Sequence, residues 1–283
     1  MVRIGTAPVL LAVLCAFPAS ASAQLPSDSR PVLTSVNWLA MDIDQQSTPQ
    51  QQQPPPLPRH TGASALWHGT ISDFKEFPRR KSTWAFLAIG TAGALVAHQA
   101  DGDVNHRLTG NKTATAIFKP GKYLGGWTQV GAGVTTYVVG RYFLPPDAGT
   151  EHSNKFSHLG FDLIRAQIIT QTLTHTIKKV ARRDRPTGEC CSFPSGHAAS
   201  TFATAAVLER HLHLRGAWPT IAIASYVAAS RLHDNRHFLS DVVFGAALGT
   251  ATGWTVVGTH GRSEWAMMPV KTRGGVALMF SKY

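Results

Sequence analysis

Three short stretches carry the reading of this chain: KKVARRDRP at 178–186, PSGH at 194–197 and SRLHDNRHFLSD at 230–241. In the first, Lys178 is followed after six residues by Arg185-Pro186. In the third, Ser230-Arg231 is followed after five residues by His237, and after three more by Asp241. Each stretch stands at the edge of a segment that reads as helix. In 159–182, Leu163, Ala166, Thr170, Leu173, Ile177 and Ala181 recur at three- and four-residue steps, the period of an amphipathic helix, and this segment ends on the first stretch. Segment 196–213 begins on the second stretch, 218–230 ends on the third, and 242–258 follows it. The link around Leu214–Ala217 is short, so the helices it joins should run antiparallel. With the neighbours alternating in the same way, the ends that carry Lys178, Arg185, Ser195, Gly196, His197, Arg231, His237 and Asp241 meet on one face of a bundle.

Outward from this region, 84–97 and 123–144 are further apolar segments, and no strand alternation interrupts them. The expected fold is all-α, a bundle of about six helices over 82–259 with its site at one end. Asp101-Gly102-Asp103 lacks the remaining ligands of a calcium loop and reads as a turn. In the tail, 260–283, Thr272-Arg273-Gly274-Gly275 separates two β-favouring runs, which fits a small hairpin or, equally, a frayed end. Residues 24–81 read as a disordered linker, because Gln50–Gln53 and Pro54–Pro56 cannot bury a core. At the start, Arg3, the apolar run Ala7–Phe17 and Ala21-Ser22-Ala23 form a secretory signal peptide, 1–23, with cleavage before Gln24; the protein is expected outside the cytoplasm, in a periplasm or on the outer membrane face.

Composition narrows the partners. Charged residues make up 15% of the chain, low for a soluble domain, and the net charge is +11 from 27 Lys and Arg against 16 Asp and Glu. That excess suits phosphate esters or anionic lipid headgroups; no basic run or aromatic-interleaved basic stripe favours nucleic acid. Segments 84–97, 123–144 and 242–258 approach the length of a membrane span. Segment 159–182 carries Asp162, Arg165, Gln167, Gln171 and His175, which are costly in lipid, and the mean hydropathy is −0.05. Membrane association is expected, without a fully lipid-bathed bundle. Cys190 and Cys191 are expected to be two packed thiols in a loop, since a ring between adjacent cysteines is strained.

The side-chain chemistry fits a phosphate. Arg185 and Arg231 offer planar forks, Lys178 a compact charge, and the helix start at Ser195-Gly196 backbone N–H groups. The Ser195 hydroxyl either caps that helix or bonds a phosphate oxygen. His237 is the candidate nucleophile, with Asp241 four residues on to hold its Nδ1–H, and His197 is the candidate general acid. Lys179, Arg182 and Arg183 read as a solvated helix end, His233 and Asp234 as loop residues, and His175 as a packed or hydrogen-bonded histidine. The histidines show no metal-ligand spacing.

In residue type, order and spacing, the three stretches resemble the three-part signature of the type 2 phosphatidic acid phosphatase superfamily, which also contains vanadium haloperoxidases. The resemblance implies a helical fold and a phosphohistidine at His237 with Asp241 as its partner. It also implies His197 as acid, and phosphate held by Lys178, Arg185, Arg231 and Ser195-Gly196, with no metal or other cofactor. The expected activity is hydrolysis of phosphate monoesters or diphosphates, lipid-linked ones foremost. The alternatives are a vanadate-dependent haloperoxidase and a non-catalytic lipid-phosphate binder.

Overall fold

The computed structural model describes residues 62–109, 112–147, 153–258, 265–272 and 275–282; the expected signal peptide and most of the expected linker lie outside them. The elements in order are α1 (Ala63–Glu76), α2 (Lys81–His98), α3 (Asp101–Leu108), α4 (Lys112–Phe118), a 3-10 turn (Lys119–Lys122), α5 (Trp127–Phe143), α6 (Lys155–Ala181), α7 (Gly196–His233), α8 (Leu239–Val257), β1 (Trp265–Thr272) and β2 (Gly275–Lys282). The domain is all-α, as its sequence period requires. The two strands form the expected tail hairpin, antiparallel, with Trp265 opposite Lys282 and Thr272 opposite Gly275.

Helix α6 is the axis of the core. Its Leu159, Leu163, Ala166 and Ile169 pack against Val207 of α7 and Val256 and Val257 of α8. One turn further on, Leu173 and Ile177 join a second cluster around Phe77, Leu248 and Ala251. Helix α8 approaches α7 closely because it presents Gly249 there: a Cβ at that position would overlap the carbonyl oxygen of Ala199.

Helix α7 runs for 38 residues but breaks at His213, where φ is 58° and ψ 167°. A straight helix of that length would span roughly 57 Å. Instead Ala198 from its start packs with Ala228 and Leu232 from its end. The two limbs therefore fold back on each other, the antiparallel pair expected from the short link. The reversal falls at His213, just before Gly216 and Pro219, two weak helix formers.

Two expectations are corrected. The folded region begins by residue 62, not at 82, because 63–76 is helix rather than linker. Helix α1 is held by a buried ion pair, Asp73 to Arg165 at 3.3 Å with both side chains 1% exposed, and by Phe74 against the core. Arg165 also donates to Asp162 (3.0 Å) and to the Val256 carbonyl (3.1 Å), so these charges of α6 face the bundle interior. The second correction is at Asp101-Gly102-Asp103, which is the first turn of α3 and not a free turn. Among the described residues no helix is long and apolar enough to cross a membrane. Large apolar side chains are nevertheless exposed on α2 (Trp84, Leu95, Val96) and α5 (Trp127, Tyr142, Phe143).

Candidate active site

The α6–α7 and α7–α8 connections meet at one end of the bundle. Lys178 lies in the last turn of α6, and Arg185 in the loop that follows. Ser195 caps α7, accepting from Ala198 N–H at 3.5 Å, and its own N–H donates to the Asp241 carbonyl at 3.0 Å, which ties the starts of α7 and α8 together. Of the two roles open to the Ser195 hydroxyl, the structure displays the cap. Gly196 and His197 form the first turn of α7, Arg231 lies in its last turn, and His237 precedes α8. All eight residues singled out in the sequence are gathered at this end.

His237 is buried, and its Nδ1 stands 3.8 Å from Asp241 Oδ2, beyond hydrogen-bond range. The expected direct bond is replaced by a relay through Ser192. The Ser192 hydroxyl donates to Asp241 Oδ2 in a short contact and lies 3.4 Å from His237 Nδ1. With Nδ1–H donating to Ser192 Oγ, the lone pair rests on Nε2. Sequence reasoning missed Ser192; its place two residues before Pro194 in the second stretch was the only available signal. Asp241 also accepts from Phe238 N–H at 2.9 Å.

The charges set the protonation states. Burial pushes the His237 imidazole down to about 4; the Asp241 contact opposes this, and the charges of Lys178 and Arg185 add to it. Near neutral pH the ring is therefore an uncharged base. Burial, then Arg185, bring Lys178 down to about 8 against the pull of Asp241. Burial alone would raise the Asp241 carboxyl. Its contacts with His237, Ser192, Phe238 N–H and Arg183 outweigh that and hold it below the ordinary carboxylate range. His197 is lowered by burial and by Arg231, while a bond from its Nε2 to the Lys122 carbonyl at 3.1 Å works the other way. Gly125 lies flat on the His197 ring, where a Cβ would clash.

The cations are individually held. Lys178 Nζ donates to the carbonyls of Cys191 (2.7 Å) and Ser192 (3.1 Å). Arg231 pairs with Asp234 at 2.6 Å. Arg185 pairs with Glu189 at 2.8 Å, while its Nε is buried with no hydrogen-bond partner, a donor left over for an anion. His233 is buried, bonded to the Leu108 carbonyl at 2.7 Å and to Thr115 at 3.0 Å, and so braces α3 and α4 rather than lining a loop.

Two readings of this loop are corrected. Cys190 and Cys191 are disulfide-bonded to each other. The chain turns left-handed at Cys191 (φ 76°), which brings both side chains to one side of a tight reversal closed by Ser192 N–H on the Arg183 carbonyl at 2.7 Å. Arg183 is not a solvated helix end; it donates to Asp241 Oδ1 at 2.7 Å.

Part of the chain is similar to known proteins. Residues 159–265 match the model of the PAP2 superfamily. A 75-residue stretch is 41% identical to a lipid A 1-phosphatase of Porphyromonas gingivalis, covering 25% of this chain and 17% of that protein's length. The crystal structure of a transmembrane PAP2 type phosphatidylglycerolphosphate phosphatase from Bacillus subtilis aligns at a TM-score of 0.49 and 20% identity, over 69% of this chain and 99% of that one. All three sequence stretches fall within 159–265, the segment that matches the PAP2 superfamily model.

Proposed function

We propose that this protein is an exported phosphohydrolase that removes phosphate from lipid-linked monoesters or diphosphates through a phosphohistidine at His237. The observation that carries the reading is the Asp241–Ser192–His237 relay, which turns the lone pair to Nε2 of an uncharged imidazole within the field of Lys178 and Arg185. Nε2 attacks phosphorus as the bond to the leaving oxygen breaks, and His197 gives that oxygen a proton. Water then attacks the phosphohistidine, His197 takes a proton from it, and inorganic phosphate departs with His237 restored. The growing charge on the phosphoryl oxygens is met by Lys178, Arg185, Arg231 and the N–H groups that open α7. His197 Nε2 is bonded to the Lys122 carbonyl, so substrate must displace that contact to receive the proton.

Two features support a lipid-linked substrate. The relative of highest identity given above is a lipid A 1-phosphatase. The exposed Trp127, Tyr123 and Leu124 follow Lys119 and Lys122 in the loop that covers His197, a mixture of aromatic and basic groups suited to a headgroup layer. Export rests on the Arg3, Ala7–Phe17, Ala21–Ala23 pattern.

The test is rapid-quench trapping of an acid-labile phosphoenzyme from labelled lipid A, phosphatidic acid and isoprenoid diphosphate. The expected outcome is a label on wild type that is absent in His237→Ala. A normal phosphoenzyme in His237→Ala overturns the nucleophile. Peroxide- and bromide-dependent turnover with vanadate, in place of hydrolysis, would make the site a haloperoxidase.

A further inference from the structure

Arg183 plays no part in the chemistry above, yet it is the most fully held cation at this end of the bundle. Its Nη1 donates to Asp241 Oδ1 and to Ser240 Oγ, both at 2.7 Å, and its Nη2 donates to Asp101 Oδ2 at 2.8 Å. The guanidinium lies over the Phe238 ring at 4.3 Å. Asp101, buried at the start of α3, accepts in turn from Ser240 N–H (2.9 Å), from Ser240 Oγ (2.7 Å) and from His98 Nδ1 (2.8 Å). One carboxylate from α3 thus caps α8 from outside and fixes the far edge of Arg183.

The consequence falls on Asp241, whose side chain is wholly buried. Its two oxygens are divided: Oδ2 takes Ser192 and Phe238 N–H, and Oδ1 takes Arg183. A carboxylate free to turn about its Cβ–Cγ bond would spread those contacts over both oxygens. With Oδ1 held by Arg183, Oδ2 stays under the Ser192 hydroxyl, and that hydroxyl keeps its lone pair toward His237 Nδ1.

We infer that Arg183, braced by Asp101, is the positioning residue that fixes the His237 tautomer and ring orientation by locking Asp241 in one rotation. The inference rests on the reading of His237 as nucleophile. Because His237 is uncharged near neutral pH, its tautomer is a defined quantity there. A plain structural brace between α3 and α8 would affect stability alone and leave the ring nitrogens of His237 unmoved.

Two readouts test this on the full chain. The first needs no turnover: ¹⁵N spectra of histidine-labelled protein at neutral pH, with His237 assigned by its loss in His237→Gln. Arg183→Gln is expected to move the His237 signals from a protonated Nδ1 toward a mixture of tautomers, and Arg183→Lys, which keeps a cation on Oδ1, to return them most of the way. Asp101→Asn, a gentler change, is expected to shift them the same way and carries the test if Arg183→Gln does not fold. The second readout is kinetic. Arg183→Gln should lower kcat by up to about 10²-fold, with KM little changed, since what is lost is alignment. In an Asp241→Asn background the same substitution should cost less than about threefold, because its route runs through Asp241. Unmoved His237 signals in folded variants, or equal losses in both Asp241 backgrounds, overturn the inference. If wild type turns over no phosphate ester, it is the functional reading that fails, and the spectra still decide the role of Arg183.

Discussion

At the scale of single residues, the site separates two histidines by environment. His237 is buried among cations with its Nδ1 occupied; His197 lies under a loop with its Nε2 on a carbonyl. Both are held below the ordinary histidine value, but the proposed mechanism uses them in opposite forms: His237 neutral to attack, and His197 protonated to assist the leaving group. The kcat/KM profile should therefore be a bell. Its acid limb falls as pH drops through about 4 and His237 takes up a proton, and its basic limb begins below the ordinary 6.5 as His197 gives its proton up. His197→Ala should flatten the basic limb and leave the acid limb in place, a result read directly from pH–rate curves. The same variant should lose about 10²–10⁴-fold on alkyl phosphates, whose leaving oxygen needs a proton, and far less on an activated aryl phosphate. Equal losses on the two substrates would remove His197 from the acid role.

At the scale of elements, the site depends on how closely α7 and α8 approach. Gly249 sits against the Ala199 carbonyl with no room for a methyl, whereas Gly131 of α5 has open space around its Cβ direction. Gly249→Ala should destabilise the fold by about 1–3 kcal/mol, because rigid backbone must shift. Gly131→Ala should be neutral or stabilise by up to about 1 kcal/mol, the ordinary helix preference for alanine. Urea unfolding midpoints of the two variants check the contrast. The Gly249 variant should also lose activity below its unfolding midpoint, since the starts of both helices, joined by Ser195 N–H on the Asp241 carbonyl, carry the site.

At the scale of the whole molecule, the proposed mechanism gives protein cations the work that a divalent ion does in many phosphoryl-transfer enzymes. Hydrolysis should survive EDTA, and vanadate should inhibit competitively by occupying the cradle of Lys178, Arg185 and Arg231. Loss of activity on chelation that a divalent ion restores would contradict this. N-terminal sequencing of the mature protein should begin at Gln24, and a cytosolic chain that retains Met1 would sink the proposal of export.

Much of this protein was legible along the chain because its information is local. The helix period marks α6, an apolar run marks α8, turn residues allow the tail hairpin, and the eight candidate site residues stand at or beside helix ends that the element order brings together. Three things were not legible, and each depends on residues distant in sequence. Helix α1 belongs to the fold because Asp73 meets Arg165 and because Phe74 and Phe77 reach the core, contacts with residues far along the chain. Arg183 looked like one more charge at a helix end until the fold set Asp101 and Asp241 on either side of it. The gap between His237 and Asp241 is filled by Ser192 because the α6–α7 loop reverses at Cys191. A sequence pattern records which groups recur and how far apart they stand along the chain. Which oxygen each proton points to is decided only when separate elements close around it, since a hydrogen bond is set to within a few tenths of an ångström.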